Sequence, residues 1–223
     1  MATPEAVSIW STPIDLYCER TDASFWSEPV NAVSNAAFLI AAFVAYRMWR
    51  QRGRRDLATL ALIGVVVLVG LGSFTFHTVA TRGAMLLDVG PIGLFIYGYF
   101  LLALRRFLRL PWLVSVAGLI GFVVLSTALA DRVPREFLNG SSGYFPALAA
   151  LIVIGALTRS TPWGKVLLLA AVIFILSLVL RIIDLDICNA VPLGTHFLWH
   201  ICNAIVLYLA LRGAIAERSA NAA

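Results

Sequence analysis

Seven long apolar runs alternate with short polar segments along the chain, and this pattern predicts the fold. The longer runs match the roughly 20 residues that an α-helix needs to cross a bilayer. A mean hydropathy of +0.89 and a charged content of 13% exclude a soluble globular domain. We therefore expect an all-α, polytopic membrane protein, a bundle of seven transmembrane helices over residues 28–49, 57–78, 84–104, 112–130, 144–157, 166–183 and 195–212.

The polar segments between the runs predict the domain organisation and the orientation. Residues 1–27 form an acidic N-terminal segment, residues 28–212 the seven-transmembrane domain, and residues 213–223 a short tail. Five arginines lie within residues 47–55 and three within residues 105–109, whereas the alternate segments carry fewer. The positive-inside rule then places the N-terminus outside and the C-terminus in the cytoplasm. It also accounts for the net charge of +5, so nucleic acid is not an expected partner.

The candidate chemistry gathers at one end of this predicted bundle. The chain has three histidines: His77 ends the second run, and His196 and His200 lie four residues apart on one helical face of the seventh. Asp88 follows in the third run, and Ser73 precedes His77 by one turn. Three imidazoles with an open fourth position suit a catalytic zinc, Asp88 a general base, and Ser73 a hydrogen bond to a substrate carbonyl or oxyanion. The alternative is that the histidines are helix-packing groups.

These residues also carry a family resemblance. The S-x-x-x-H of the second run, the aspartate that follows and the late H-x-x-x-H resemble the alkaline ceramidases. The run YCER…WSEPVNAVSN in the N-terminal part strengthens the likeness. That family belongs to a superfamily of seven-span hydrolases that includes adiponectin-receptor-like proteins. The resemblance implies that His77, His196 and His200 bind zinc, that Asp88 and Ser73 are catalytic, and that the ceramide amide is hydrolysed to a sphingoid base and a fatty acid. It further suggests a bacterial member in the inner membrane, with its site toward the extracytoplasmic side.

The resemblance also implies a calcium ion in the N-terminal segment. The expected ligands are Glu19, Glu28, Asp15, Asp22 and Tyr17. This segment departs from the animal enzymes, because Asp15 lies one residue further from the cysteine and Thr21 or Asp22 replaces an asparagine ligand. Calcium prefers several hard oxygen ligands, which four carboxylates can supply. The alternative is a solvated acidic segment without an ion.

Two further pairs of residues lie on the predicted outer side. Cys18 and Cys188, the latter in a motif that also resembles the family, are expected to form a disulfide if that side is oxidising. Asp184 and Asp186 are either partners that orient a metal-bound imidazole or simple loop charge.

Three other functions compete with a zinc-dependent lipid amidase. A receptor-like member of the superfamily would use the metal for structure or slow hydrolysis, and a remodelling hydrolase would act on another acylated lipid. A transporter usually has broken helices or charges in mid-span, whereas the polar groups here gather at one end. A membrane lipid is the expected substrate, and no protein partner is inferable from the sequence.

Overall fold

The computed structural model describes residues 8–52, 56–134 and 137–220. These residues form α1 (Pro29–Ser34), α2 (Ala36–Arg52), α3 (Leu57–Val79), α4 (Arg82–Arg106), α5 (Trp112–Arg132), α6 (Phe145–Leu157), α7 (Pro162–Ile182) and α8 (His196–Ala220). Short 3-10 turns occupy Ile9–Ser11, Phe137–Tyr144 and Leu185–Ile187. The start of the predicted N-terminal segment (residues 1–7), the arginines at 54 and 55, and the last three residues of the predicted tail lie outside the described residues.

The predicted class is confirmed, because seven helical segments in this part of the chain are long and apolar enough to cross a membrane. The first joins α1 and α2, and the fifth joins the turns at Phe137–Tyr144 to α6. The seventh span continues past the predicted end at Arg212 as far as Ala220. The physical reason is burial: Ala214 and Ile215 pack into the core and keep the chain helical.

Local chemistry fixes where α3 and α4 begin and end. The Asp56 carboxylate accepts the Thr59 N–H at 3.2 Å and caps the start of α3. The helix ends at Ala80, which takes a left-handed conformation with a φ of 48°. The chain then turns at once into α4, whose start is capped by the Thr81 hydroxyl. The end of α3 and the start of α4 therefore lie at the same end of the bundle.

The helices are not equally enclosed. Residues from α2, α3, α4 and α8, among them Phe38, Val66 and Leu211, pack together in the main core. In contrast, α5 is peripheral, since Ser115 is its one fully buried residue. It contacts α4 through rings such as Phe122, which stacks on Phe100 with centroids 4.2 Å apart.

A close backbone approach joins α3 to α4 near the end that carries the histidines. A Cβ on Gly72 would lie 1.9 Å from the carbonyl oxygen of Leu87 and 3.3 Å from the backbone nitrogen of Asp88. Only glycine permits this separation, because any side chain would overlap the neighbouring backbone. The contact places the residue after Gly72, Ser73, beside the turn of α4 that carries Asp88.

Candidate metal centre

The three histidines of the chain meet at the end of the bundle where α3 ends and α8 begins. His77 lies in the last turn of α3, and His196 and His200 occupy the first two turns of α8. All three are buried, and one ligand nitrogen from each lies within 4.8 Å of the others. The ring centroids are 4.6–5.2 Å apart. The structure thus brings together the residues that the sequence separates by more than 100 positions.

Hydrogen bonds fix the orientation of two of these rings. The Nδ1 atom of His77 lies 2.6 Å from a carboxylate oxygen of Glu28, so the ring donates its Nδ1 proton there. The Nδ1 atom of His200 lies 2.7 Å from the Ser34 hydroxyl. That hydroxyl donates its single proton to the carbonyl oxygen of Asn31 at 2.8 Å, so it accepts the Nδ1 proton of His200. In both rings the Nε2 lone pair is left for a ligand.

His196 is positioned through its backbone and its ring face. Its N–H donates to Asp184 at 2.9 Å, and the neighbouring Thr195 N–H donates to the same carboxylate oxygen at 2.6 Å. The imidazole stacks on the Tyr17 ring with centroids 3.6 Å apart. Burial raises the pKa of Tyr17, so this ring stays a neutral phenol. Asp184 therefore binds the backbone at the start of α8 and does not orient an imidazole ring. Asp186 is exposed in the loop.

Asp88 and Ser73 lie beside the histidines and face a common cavity. The Asp88 carboxylate interacts with the Ser73 hydroxyl and, electrostatically, with His77. The polar part of the cavity lining includes Ser73, Asp88 and His200. Most of the remaining lining is apolar or aromatic, with side chains from α4, α6, α7 and α8. A polar cluster at the edge of an apolar cavity suits a substrate with one reactive group and a long hydrocarbon chain.

The donor set fits a metal ion with a preference for nitrogen ligands. The Nε2 atom of His77 and the Nδ1 atom of His196 are buried and have no hydrogen-bond partner among the described residues. Burying an unpaired imidazole nitrogen is unfavourable unless a ligand satisfies it. Three imidazoles match the His₃ set of a catalytic zinc site with one coordination position left for water or substrate. The cluster can therefore hold a metal ion.

The carboxylates expected to bind calcium are engaged by groups of the protein itself, while calcium binding stays a prediction. Glu19 uses one carboxylate oxygen on the Val30 N–H and the other on the Asn31 N–H, both at 2.7 Å. Glu28 is occupied by Arg20, whose Nε lies 2.5 Å from its second oxygen. Among the described residues, the histidine cluster is the one group of three or more acidic, cysteine or histidine residues that could hold a metal.

The other expected calcium ligands lie apart from this pair of carboxylates. Asp15 and Asp22 are exposed, and Asp22 accepts the Ser24 N–H at 2.8 Å. Hydrogen bonds from Ser24 lower the pKa of Asp22, as they would for a solvated loop carboxylate. Tyr17 stacks on His196 and lies among the rings of the metal centre.

The N-terminal segment is tied to the loop before α8 at two points. Cys18 and Cys188 form a disulfide with Cα atoms 5.2 Å apart. The Cys18 N–H also donates to Asp184 at 3.2 Å, on the carboxylate that holds the start of α8. This arrangement closes the segment over His196 through the stacked Tyr17 ring.

Comparison with family models identifies the chain's relatives. Residues 15–222, nearly the whole chain, match the family model described as Ceramidase. The chain belongs to the ceramidase family. A search of curated proteins gives no significant match. Membership in the ceramidase family makes the protein a hydrolase of amide C–N bonds, and its membrane-embedded fold implies a lipid substrate.

Sequence reasoning about this ceramidase-family member missed the groups that orient the metal centre. Glu28 was expected to bind calcium and Ser34 was given no role, whereas each contacts a histidine ring. One signal was available: Glu28 begins the first apolar run at the same end as His77, and a carboxylate at such a depth needs a partner. Nothing comparable in the sequence indicated that Asp184 would bind the backbone at the start of α8.

Proposed function

We propose that the protein is a zinc-dependent intramembrane amidase that hydrolyses the N-acyl bond of ceramide to a sphingoid base and a free fatty acid. The observation that carries the proposal is the cluster of three buried imidazoles beside a largely apolar cavity. Membership in the ceramidase family supports the same substrate class. His77, His196 and His200 are the proposed zinc ligands.

The proposed reaction assigns a role to each polar group near the cavity. Bound zinc would act as a Lewis acid on the amide carbonyl and lower the pKa of the attacking water. Asp88 takes one proton from that water as its oxygen bonds to the carbonyl carbon. The C–N bond then breaks, and Asp88 returns the proton to the leaving nitrogen, which gives a free amine and a carboxylic acid. Ser73 donates a hydrogen bond to the oxygen on which negative charge develops.

The cavity and the peripheral α5 support a lipid substrate that enters from the membrane. The apolar lining offers an environment for an acyl chain next to Asp88 and His200. Phe100 and Phe122, which stack between α4 and α5, lie in this lining. Since α5 is held by few buried residues, we propose that its separation from α4 admits the substrate laterally.

The proposed location is a bacterial inner membrane, with the active site facing the extracytoplasmic side. The arginine distribution supports this orientation. The Cys18–Cys188 disulfide lies at the histidine end, and disulfides persist on the oxidising side of a membrane. Fusing a reporter that works only outside the cytoplasm to the C-terminus should give no signal; a strong signal would reverse the orientation.

The test measures metal and turnover on the same purified protein. Detergent-solubilised wild type, His196→Ala and Ser115→Ala would be analysed for zinc by elemental mass spectrometry and then given a fluorescent ceramide. Ser115 is a matched control, because it is a buried polar residue near the start of α5, at the opposite end of the bundle. We expect about one zinc per chain in wild type and Ser115→Ala, with zinc and turnover both lost in His196→Ala.

Other outcomes would redirect the proposal. Zinc with no ceramide turnover, but with release of fatty acid from another N-acyl lipid or an ester lipid, would change the substrate. Zinc without turnover of any acylated lipid would favour the receptor-like alternative. A wild-type protein that holds no zinc after purification in zinc-containing buffer would contradict the mechanism.

A further inference from the structure

The Arg20 guanidinium lies in a buried pocket made of oxygen atoms. Its Nε donates to Glu28 at 2.5 Å, one terminal nitrogen to the carbonyl oxygen of Asp22 at 3.0 Å, and the other to the carbonyl oxygen of His77 at 3.0 Å. The side chain is 4% exposed, and that of Glu28 is 2% exposed. One cation therefore joins the N-terminal segment, the start of α1 and the end of α3.

These three oxygens are the kind that a calcium ion would choose. A carboxylate and two backbone carbonyls are hard ligands, and they surround the guanidinium at hydrogen-bonding distance. The carbonyl of His77 lies in the last turn of α3, where the helix dipole also favours a positive charge. A divalent ion in the same place would meet the guanidinium at close range and be repelled.

We infer that Arg20 is a built-in cation that takes the place of calcium in this chain. It neutralises Glu28, links the N-terminal segment to α3, and leaves no site for a divalent ion among Glu19, Glu28 and Asp22. The protein then keeps its metal centre assembled regardless of the calcium concentration outside the membrane.

The same guanidinium acts on the metal centre through one intermediate. Arg20 holds one oxygen of Glu28, and the other oxygen of Glu28 holds the Nδ1 proton of His77. Arg20 is thus a positioning residue for His77. This part of the inference rests on the proposed zinc site, whereas the absence of calcium binding does not.

The first experiment measures calcium on the full-length wild type. Zinc-loaded protein in detergent, freed of calcium on a chelating resin, would be titrated with calcium, and with magnesium in parallel as a control for ionic strength. Melting temperature and equilibrium dialysis with radioactive calcium are the readouts. We expect no bound calcium, and no difference between the two ions in melting temperature, up to millimolar concentration.

The second experiment removes the guanidinium. Arg20→Ala, Arg20→Lys and Arg82→Ala would be compared for zinc affinity by competition with a chromogenic chelator. Arg82 is the matched control, since it is an exposed arginine at the start of α4, at the same end of the bundle. We expect Arg20→Ala to weaken zinc binding about 10- to 100-fold, as loss of a partner behind a metal ligand does. Arg20→Lys should recover part of it, because the ammonium keeps the charge but not the planar fork.

Two results would overturn the inference. One is stoichiometric calcium binding by the wild type, for example through the side-chain oxygens of Asn31 and Asn35, which are buried without a hydrogen-bond partner among the described residues. The other is an Arg20→Ala protein whose zinc affinity and melting temperature equal those of Arg82→Ala. Neither readout uses ceramide, so a wrong substrate would leave both results interpretable.

Discussion

Two buried carboxylates, each paired with an arginine, lie at opposite ends of α3 and serve different purposes. Asp56 begins the helix and Glu28 contacts its last turn at His77, about 30 Å away at 1.5 Å per residue. Asp56 accepts hydrogen bonds from both terminal nitrogens of Arg106, at 2.5 and 2.7 Å, and from the Thr59 hydroxyl at 2.6 Å. All of these partners belong to the helix start or to the end of α4.

The two carboxylate oxygens of Glu28 accept hydrogen bonds from different kinds of partner. One oxygen accepts from Arg20, and the other accepts from the His77 ring at 2.6 Å and from the Asn31 amide at 3.1 Å. The arginine therefore neutralises a carboxylate that also aims a candidate metal ligand. The comparison teaches that a buried ion pair can be purely structural at one end of a helix and part of the site at the other, according to its third partner.

The largest effect is expected from removing the site-end carboxylate. Glu28→Ala leaves Arg20 buried without its anion and His77 without its Nδ1 acceptor. We expect ceramide turnover to fall at least 100-fold and zinc affinity 10- to 100-fold, measured by fluorescent hydrolysis and chelator competition. Unfolding should also become easier, by about 3 kcal/mol, because a buried charge loses its partner.

Asp56→Ala is the matched comparison for this change. It should destabilise the protein by a similar or smaller amount, about 2–3 kcal/mol, since the Arg106 side chain is 20% exposed. Zinc stoichiometry and turnover per folded molecule should stay at the wild-type level. If Asp56→Ala loses zinc as fully as Glu28→Ala does, the two ion pairs do not differ in function.

A smaller loss of turnover, without loss of zinc, is expected from a change beside Ser73 and Asp88. Gly72→Ala places a Cβ where it would overlap the Leu87 carbonyl, so α3 and α4 must move apart beside Ser73 and Asp88. We expect turnover to fall about 10- to 100-fold, because a displacement near 1 Å is enough to disturb a catalytic group. Zinc stoichiometry should be retained, since α3 holds His77 one and a half turns further along.

The control for this substitution lies on the same helix. Gly64 has open space around its Cβ position, so Gly64→Ala should leave both zinc and turnover unchanged. Equal losses of turnover in the two variants would mean that helix propensity or expression, not the close approach, causes the effect.

The sequence predicted the seven helices and the histidine cluster because both depend on simple regularities. Apolar runs of membrane length predict the spans, and alternation of the spans brings His77 and His196 to the same end. The four-residue spacing of His196 and His200 then places both on one helical face. The residues of the predicted zinc site meet in the structure, while the metal itself and their catalytic roles stay predictions.

The supporting network could not be predicted in the same way. Arg20 contacts the carbonyl of a residue 57 positions away, and Asp184 contacts Cys18 across 166 positions. Such contacts follow no helical or strand period, so the sequence gave no indication of which partners Arg20 and Asp184 would have. The resemblance gave Glu19 and Glu28 the same expected role, whereas in the structure one caps α1 and the other orients His77.

The smallest effect is a pH dependence of stability that belongs to the structural ion pair. Burial by itself would raise the pKa of Asp56, but hydrogen bonds from Arg106 and Thr59 outweigh it and hold the pKa below its usual range. A group whose folded pKa is depressed stabilises the protein above the unfolded pKa, about 4 for aspartate, and loses this contribution as the pH falls through the folded pKa. We therefore expect the melting temperature of His196→Ala to drop by a few degrees more than that of the double variant His196→Ala/Asp56→Asn between pH 6 and about pH 3. Thermal melts in one detergent at matched ionic strength would measure this, with zinc-free His196→Ala as the background so that loss of metal in acid does not contribute. Parallel pH curves for that background with and without Asp56→Asn would contradict the prediction, because they would show that titration of Asp56 does not change stability in this range.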